Sequence, residues 1–203
     1  MALDGDIHMT VTRLTLVRHA ATSATRRSAF AQDESIDEKG RLAAQRLAPN
    51  LGRVDFAWSG PATCARETAQ ALRIAPTIAE ALDEWDFGAW RGRTIASVQE
   101  ADPSGVLAWT QNPAAAPHGG ESLLDLIARV GYWLDARSAD GHRAIAVTHS
   151  GVIRAALVYA LLAPPAAVWR FDVAPLSRTV LHSDGARWTV RGVNVAPAEV
   201  PGS

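Results

Sequence analysis

The chain has 203 residues, of which 48% are hydrophobic and 20% are charged, and its formal net charge at pH 7 is −1. This composition predicts one ordinary globular domain with a sizeable core, and the small net charge gives no support for nucleic-acid or membrane partners. The single cysteine, Cys64, cannot form an internal disulfide, and with no segment of transmembrane length and no signal-peptide layout we expect a soluble cytoplasmic protein.

Helical and strand patterns alternate along the chain, which predicts an α/β fold. We expect a domain over residues 13–195, between an amino-terminal extension (1–12) and a tail (196–203). The first predicted elements are a strand at 13–17, a helix ending near Leu47 that Ser35 opens in a capping box, a strand at 54–58, a helix at 62–72 after Pro61, and a brief strand at 77–79.

A loop rich in Trp, Phe and Gly follows at 84–92. The next predicted elements are short helices at 94–101 and 104–110, a loop at 111–120, and a helix to about Leu134 capped by Ser122 with Asp125. A strand ending at His149 leads into another helix. Later strands are predicted at 168–173, 178–182 and 188–193, with a turn at 183–185 between the last two.

Two apolar strands far apart in sequence each run into a histidine. The first ends at Arg18 and His19, and the second ends at Thr148 and His149. In α/β folds, ligands bind in the crevice outside the carboxyl ends of the strands. If the two strands are neighbours, both histidines face one crevice. Arg18 then places a fixed positive charge beside a possible nucleophile, which suits a phosphoryl group.

The segment Arg18-His19-Ala20-Ala21-Thr22 resembles the Arg-His-Gly signature of the histidine phosphatase superfamily, the phosphoglycerate-mutase-like proteins, with Ala20 where that family has glycine. Residues 147–154 are similar to the family's second-histidine segment. Residues 82–92 are similar to its Leu-x-Glu-x-x-x-Gly-x-Trp-x-Gly loop. The three segments occur in the family's order. The resemblance covers most of the chain and implies a three-layer αβα sandwich with a mostly parallel mixed sheet.

The resemblance implies a phosphatase that works through a phosphohistidine on His19, with Glu84 as the proton donor and His149 as the second histidine. A neutral imidazole in a positive pocket can attack phosphorus. Arg18 and a charged His149 would neutralise the phosphoryl oxygens, and Glu84 would protonate the leaving alcohol and later deprotonate water. The first step needs a protonated carboxyl, so we expect burial against Trp85 and its aromatic neighbours Phe87 and Trp90 to raise the pKa of Glu84.

One family feature is missing, namely the second phosphate-binding arginine. The family pattern Ser-Pro-x-x-Arg-Ala-x-x-Thr-Ala aligns with residues 60–69 and places Cys64 at the arginine position. Arg66 lies two residues further, about 200° round a helix, so it fills the same place only if the helix starts differently. Cys64 itself is interpreted as a small apolar filler rather than a reactive thiolate.

Other phosphate-binding candidates carry less support. Thr25 stands where the family often has an asparagine, and Ser150 follows the second histidine. Arg26 and Arg27 could compensate for the missing arginine, although an exposed basic turn is the favoured interpretation. The nineteen arginines and single lysine of the chain weaken an argument from any one arginine.

We expect no cofactor, and no metal because no His or Cys spacing suggests zinc. The expected substrate is a small phosphorylated metabolite. The protein is expected to be a monomer or a homodimer. Residues 102–122 are similar to the α-ribazole phosphatase branch, and the short chain favours hydrolysis over mutase chemistry. A non-catalytic phosphate-binding module stays open because of Cys64. A serine hydrolase on Ser150 is disfavoured since Gly-x-Ser-x-Gly is missing, and a dinucleotide enzyme since no Gly-x-Gly-x-x-Gly follows the first strand.

Overall fold

A six-stranded mixed sheet forms the centre of the fold in the computed structural model, which describes residues 11–196. Its strand order is β3-β2-β4-β1-β5-β6. The pairings β3–β2, β2–β4 and β4–β1 are parallel, while β5 pairs antiparallel with β1 and β6. The expected mostly parallel mixed sheet is therefore confirmed. The strands are β1 (Thr12–Arg18), β2 (Phe56–Ser59), β3 (Thr77–Ile78), β4 (Arg143–Thr148), β5 (Arg178–Ser183) and β6 (Trp188–Val195).

Helices cover both faces of this sheet. They are α1 (Ser23–Arg27), α2 (Glu38–Leu47), α3 (Thr63–Ala71), α4 (Ile95–Ala101), α5 (Pro103–Gln111), α6 (Leu123–Asp135) and α7 (Ser150–Ala160), with 3₁₀ turns at Ala48–Asn50, Glu80–Leu82, Gly88–Trp90 and Pro165–Arg170. Ser122 and Asp125 form the predicted capping box at the start of α6. No helix within residues 11–196 has the length and apolar character needed to cross a bilayer.

Alternation along the central strands divides the core into two layers. In β1, Leu14 and Leu16 join the apolar cluster that contains the buried residues of α6 and α7. Val17 joins the opposite cluster, which contains the buried residues of α2 and α3. In β4, Ala146 and Val147 divide between the same two clusters. Two clusters on opposite faces of one sheet make the three-layer αβα sandwich.

Two local predictions differ from the structure, and one short helix was not predicted. Residues 168–173 do not form a strand, because Pro165–Arg170 is a 3₁₀ turn whose Val168 is buried in the core. Asp37, not Ser35, caps α2 by accepting from the Gly40 N–H, while the Ser35 hydroxyl donates to Glu67 at 3.1 Å. The short helix α1 had no sequence prediction. For the α2 cap, Ser35 and Asp37 have similar capping preferences, so the sequence did not separate them.

Candidate active site

The two histidines at the strand ends meet at one edge of the sheet. β1 and β4 are adjacent and parallel, with Arg18 opposite Thr148. The next residues, His19 and His149, therefore leave the sheet side by side, with ring centroids 4.9 Å apart. Their exposed fractions are only 5% and 2%. This confirms the prediction that both imidazoles face one crevice.

Buried hydrogen bonds around Thr148 fix the position of this pair. The Thr148 carbonyl accepts from the His19 N–H at 2.8 Å, and its hydroxyl donates to the Leu82 carbonyl at 2.7 Å. The first bond ties the β1 histidine to β4, and the second brings the loop that carries Glu84 to the same strand end. On the other side, the Ala20 N–H donates to the Thr68 hydroxyl of α3 at 3.0 Å.

His19 is held as a neutral imidazole with one free lone pair. Its Nδ1 lies 2.8 Å from the Ala20 carbonyl oxygen, which can only accept, so Nδ1 carries the proton and Nε2 has the lone pair. Burial, followed by the charges of His149 and Arg18, lowers the pKa of His19 to about 3. The imidazole therefore stays uncharged at neutral pH, with Nε2 unprotonated, as a nucleophile requires.

Glu84 lies against the second histidine. Its Oε2 is 3.4 Å from His149 Nδ1, and its Oε1 accepts from the Trp85 N–H at 2.9 Å. Burial alone would raise the pKa of Glu84, but the close approach of His149 and the hydrogen bond from the Trp85 N–H outweigh burial and lower the pKa to about 2. The expectation that burial would leave this pKa raised is wrong, because His149 lies in contact with the carboxylate. Glu84 is ionised in this structure.

Arg129 of α6 holds the Glu84 loop in place. Its guanidinium forms a two-bond ion pair with Glu121, at 2.8 and 2.7 Å. The same group donates to the carbonyls of Ala81 at 2.8 Å and Asp83 at 3.1 Å. Because the guanidinium is planar and has several fixed donors, it holds the backbone before Glu84 and the side chain of Glu121 in fixed positions relative to each other. Glu84 is thus positioned by α6 as well as by β4.

The histidines lie at the base of a cleft of about 760 Å³. The base is polar, and includes Arg18, Glu84 and Arg154 as well as the two histidines. The wall is aromatic, with Trp109 and Trp169 at a centroid distance of 4.7 Å. Phe30, Trp85 and Phe87 also line the cleft. The site therefore combines a charged floor with an apolar wall, as small-molecule sites commonly do. The sequence analysis did not anticipate the contribution of Trp109 and Trp169.

Two arginines supply positive charge to the cleft floor. Arg18 donates one N–H to the Val173 carbonyl at 2.6 Å, while its Nε is buried without a hydrogen-bond partner among residues 11–196. Arg154 has a buried Nε that is likewise unpartnered in the described part of the chain. Desolvation, and to a smaller extent the neighbouring Arg154 charge, lowers the pKa of Arg18. Two close guanidinium groups with spare donors form a site that favours an anion.

Arg154 had no assigned role in the sequence analysis. It lies on α7 one turn after Ser150, so both side chains lie on the same side of the helix. Of the seven other residues in the segment 151–158, six are apolar and the seventh is Gly151. A lone arginine in a buried apolar helix was the available signal, because burying a charge is costly without a functional or structural partner.

The remaining candidates divide between cleft and surface. Thr25 and Ser150 both line the cleft. Arg66 does not line it: the side chain is on the exposed face of α3 and lies 3.4 Å from the Thr63 hydroxyl, so the structure corrects its placement. Helix α3 buries Cys64, Ala65, Thr68 and Ala69, which turns Arg66 to solvent. Arg26 pairs with Asp37 at 2.6 Å, in agreement with the exposed-turn interpretation.

Cys64 lies on the floor of the cleft beside the histidines. One donor atom each from His19, Cys64 and His149 lies within 4.8 Å of the other two. The thiol is buried, in the apolar cluster that includes Ala65 and Val147. Burial, together with the Glu84 charge, raises its pKa to about 12. The side chain is therefore a protonated thiol, in agreement with the interpretation as a small filler rather than a reactive thiolate.

Comparison with known sequences finds a matching family and relatives that are named as phosphatases. It matches the model of the histidine phosphatase superfamily (branch 1) over residues 14–196. It is 34% identical over 198 residues to a Mycobacterium tuberculosis protein described as bifunctional, covering 91% of this chain and 54% of that protein, so the chain spans about half the length of this relative. It is 32% identical over 180 residues to the glucosyl-3-phosphoglycerate phosphatase of Mycobacterium tuberculosis, covering 79% and 80%.

Solved structures show the same fold. The mycobacterial glucosyl-3-phosphoglycerate phosphatase, solved in complex with VO₃, has a TM-score of 0.81 at 28% identity, covering 91% of this chain and 99% of that one. A putative α-ribazole-5′-P phosphatase from Escherichia coli has a TM-score of 0.81 at 23% identity, covering 93% and 98%, and shares the fold. With a family match over nearly all described residues, this chain belongs to the histidine phosphatase superfamily, branch 1.

Proposed function

We propose that the protein hydrolyses a small phosphate monoester through a phosphohistidine on His19. The observation that carries this proposal is the neutral His19, whose free Nε2 lies at the floor of a cleft that also presents Arg18 and Arg154. A phosphoryl dianion needs paired positive donors, and its phosphorus needs an uncharged nucleophile beside them. The floor of this cleft supplies both.

The first step is attack of His19 Nε2 on phosphorus, with loss of the ester oxygen. The P–N bond forms as the P–O bond breaks, and the alcohol leaves with a proton from Glu84. Arg18 and Arg154 hold the phosphoryl oxygens and offset their charge. The amino end of α7, which begins immediately after His149, adds backbone N–H groups and the positive end of a helix dipole.

Glu84 must gain a proton before it can donate one. Before substrate binds, the contact with His149 favours the ionised carboxylate. A bound phosphoryl dianion places negative charge beside this carboxylate and repels it, so substrate binding raises the pKa of Glu84. After the alcohol has left, the regenerated carboxylate accepts a proton from the water that attacks the phosphohistidine. Phosphate is then released, and His19 returns to its starting state.

Two comparisons support this assignment. The family that the chain belongs to is named for histidine phosphatases, and the related glucosyl-3-phosphoglycerate phosphatase has been solved with the oxyanion VO₃. The aromatic wall formed by Trp109, Trp169 and their neighbours suits a leaving group with an apolar face or a sugar ring. We therefore propose a small phosphorylated metabolite as the substrate, and hydrolysis as the overall reaction.

A rapid-quench experiment in alkaline detergent, with radiolabelled phosphate monoester, tests this function. We expect a burst of protein-bound phosphate approaching one phosphoryl group per chain, labile in acid and stable in alkali, as a phosphoramidate is. Steady release of inorganic phosphate from p-nitrophenyl phosphate and from members of a metabolite panel should follow. Binding of phosphate without turnover on any ester would instead favour a non-catalytic phosphate-binding protein, and an alkali-labile adduct would exclude the histidine as nucleophile.

Replacing Gly151 by alanine tests the position of Glu84. A Cβ at Gly151 would lie 2.7 Å from Glu84 Oε1, so the carboxylate must move away from the Trp85 N–H. We expect kcat for an alkyl phosphate to fall by about 10²-fold, within the range set by losing general acid catalysis. The loss for p-nitrophenyl phosphate should be much smaller, because nitrophenolate leaves without a proton.

Stability separates this effect from general damage. Alanine is preferred over glycine in a helix by about 1 kcal/mol, so the melting temperature of Gly151→Ala should not fall. The Glu84→Gln variant is the matched comparison and should show the same dependence on the leaving group. Equal losses for both substrates, or a melting temperature well below the wild-type value, would contradict the assigned contact.

A further inference from the structure

We propose that His19, Cys64 and His149 form a binding site for Zn²⁺, and that the bound ion reversibly blocks the phosphatase reaction. The ligand set is two imidazoles and one thiol, which is a common zinc donor set. All three residues lie on the floor of the cleft described above. Metal binding can be measured directly, without measuring turnover.

The geometry brings three zinc donor types together. The three donor atoms lie within 4.8 Å of one another. Around a tetrahedral zinc ion, with metal–ligand distances of about 2.0–2.3 Å, ligand atoms are separated by roughly 3.5 Å. The side chains therefore need to approach one another by about 1 Å, which rotation of their side chains can provide. The separate positions 19, 64 and 149 explain why sequence spacing did not suggest this site.

Both histidines have the outer contacts typical of zinc ligands. His19 Nδ1 donates to the Ala20 carbonyl at 2.8 Å, which leaves Nε2 for a metal. His149 Nδ1 faces the Glu84 carboxylate at 3.4 Å. A metal-bound imidazole usually directs its other nitrogen at a carbonyl or carboxylate in this way. Within residues 11–196, neither ring nitrogen of the buried His149 has a geometrically acceptable hydrogen bond, so this polar group still lacks a strong partner.

Charge balance and access are compatible with a zinc ion. On binding, a Zn–S bond forms and the Cys64 S–H proton passes to solvent, because the thiolate is the ligand. The thiolate and the Glu84 carboxylate together offset the two charges of the ion. The fourth coordination position faces the open cleft, where water or a phosphate oxygen can occupy it. Arg18 and Arg154 on the same floor favour an anion in that position.

Cys64 supplies the metal ligand that a site built only for phosphate binding would lack. An arginine at position 64, as the family pattern has it, would add a positive charge where Cys64 offers a metal ligand. With zinc bound, the His19 Nε2 lone pair is coordinated and cannot attack phosphorus. The ion therefore competes with phosphoryl transfer through the nucleophile itself. Chelation should restore the free imidazole, because no covalent bond of the protein is broken.

Cobalt titration of the whole, metal-free protein tests the site directly. We expect Co²⁺ to bind with a stoichiometry of one per chain and to produce thiolate-to-cobalt charge transfer in the near ultraviolet, with the intense visible bands of four-coordinate cobalt. Zn²⁺ should displace it. Cys64→Ala should lose the charge-transfer band and bind at least about 10²-fold more weakly. Cys64→Ser, which keeps the side-chain volume, should behave in the same way if the alanine variant folds poorly.

Zinc inhibition of p-nitrophenyl phosphate hydrolysis is the second measurement, with each variant referred to its own metal-free rate. Half-inhibition of Cys64→Ala should need at least about 10²-fold more Zn²⁺ than the wild type. His118→Ala is the matched control, since His118 does not line the cleft, and its cobalt spectrum should equal the wild-type spectrum. A spectrum without a thiolate band, or the same band in both Cys64 variants, overturns the metal site. Failure of the proposed phosphatase activity would leave the cobalt result intact.

Discussion

Replacing His19 by alanine is expected to lower kcat/KM for phosphate monoesters by at least about 10⁴-fold, because removing the nucleophile of a covalent mechanism removes the pathway. No acid-labile phosphoenzyme should form. Affinity for inorganic phosphate should be largely retained, since Arg18 and Arg154 remain on the cleft floor. Labelling with an alkaline quench, steady-state kinetics and phosphate binding by calorimetry measure the three effects separately.

His142→Ala is the matched control for this experiment. His142 precedes β4 at the opposite end of the strand, is exposed, and lies 4.8 Å from the Phe56 ring. Its removal changes the histidine content without touching the cleft, and it should retain both turnover and labelling. Retention of phosphoenzyme in His19→Ala would assign the nucleophile to another side chain, and His149 would be the next residue to replace.

The sequence predicts the residues of the site that lie at the ends of strands β1 and β4. β1 and β4 are short apolar segments that end in polar residues, and a parallel sheet places both ends at one edge. This suffices to bring His19 and His149 together. It also explains why Arg18, the last residue of β1, reaches the same floor.

The rotation of helix α3 about its own axis could not be predicted from the local sequence pattern. Alignment on Pro61 placed Cys64 correctly on the inner side, but it did not exclude Arg66. The buried positions of α3, which include Cys64, Ala65 and Thr68, fix the rotation of the helix and leave Arg66 exposed. Residues with weak hydrophobicity, such as Ala and Thr, give a weak amphipathic signal, so only packing against the sheet determines which side is inside.

The protonation state of Glu84 depends on residues far along the chain. Its aromatic neighbours in sequence suggested an apolar site and a raised pKa. The controlling contact is His149, 3.4 Å away, which neighbouring sequence cannot show. The cleft wall has the same origin, because Trp109 and Trp169 come from α5 and a 3₁₀ turn that meet only in the folded chain. Long-range contacts therefore account for the largest differences.

Replacing Arg154 by glutamine is expected to lower kcat for phosphate monoesters by about 10²–10³-fold, the usual cost of losing one preorganised donor to a charged transition state. Arg154 is the second arginine on the cleft floor, and with Cys64 at the family position no arginine of α3 lines the cleft. Its buried Nε has no partner among residues 11–196, so the variant should not lose thermal stability. Steady-state kinetics and thermal melting measure both outcomes.

Arg66→Gln is the matched control, because Arg66 is also an arginine in a helix but faces solvent. Its kcat should stay near the wild-type value. If Arg66→Gln lost more kcat than Arg154→Gln, Arg66 would be the phosphate-binding arginine, and α3 would have to rotate on substrate binding. Near-normal activity in both variants would mean that Arg18 and the amino end of α7 are sufficient to bind the phosphoryl group.

A second substitution determines whether Arg154 replaces the missing family arginine. Cys64→Arg returns a guanidinium to the position that the family pattern assigns to it. If Arg154 now supplies the same interaction, Arg154→Gln should cost less in the Cys64→Arg background than in the wild type, since residues that share one bound group are not additive. Additive losses would show that the two positions serve different groups of the substrate. In that case Arg154 would contact the leaving group, and its loss would vary between esters instead of being uniform.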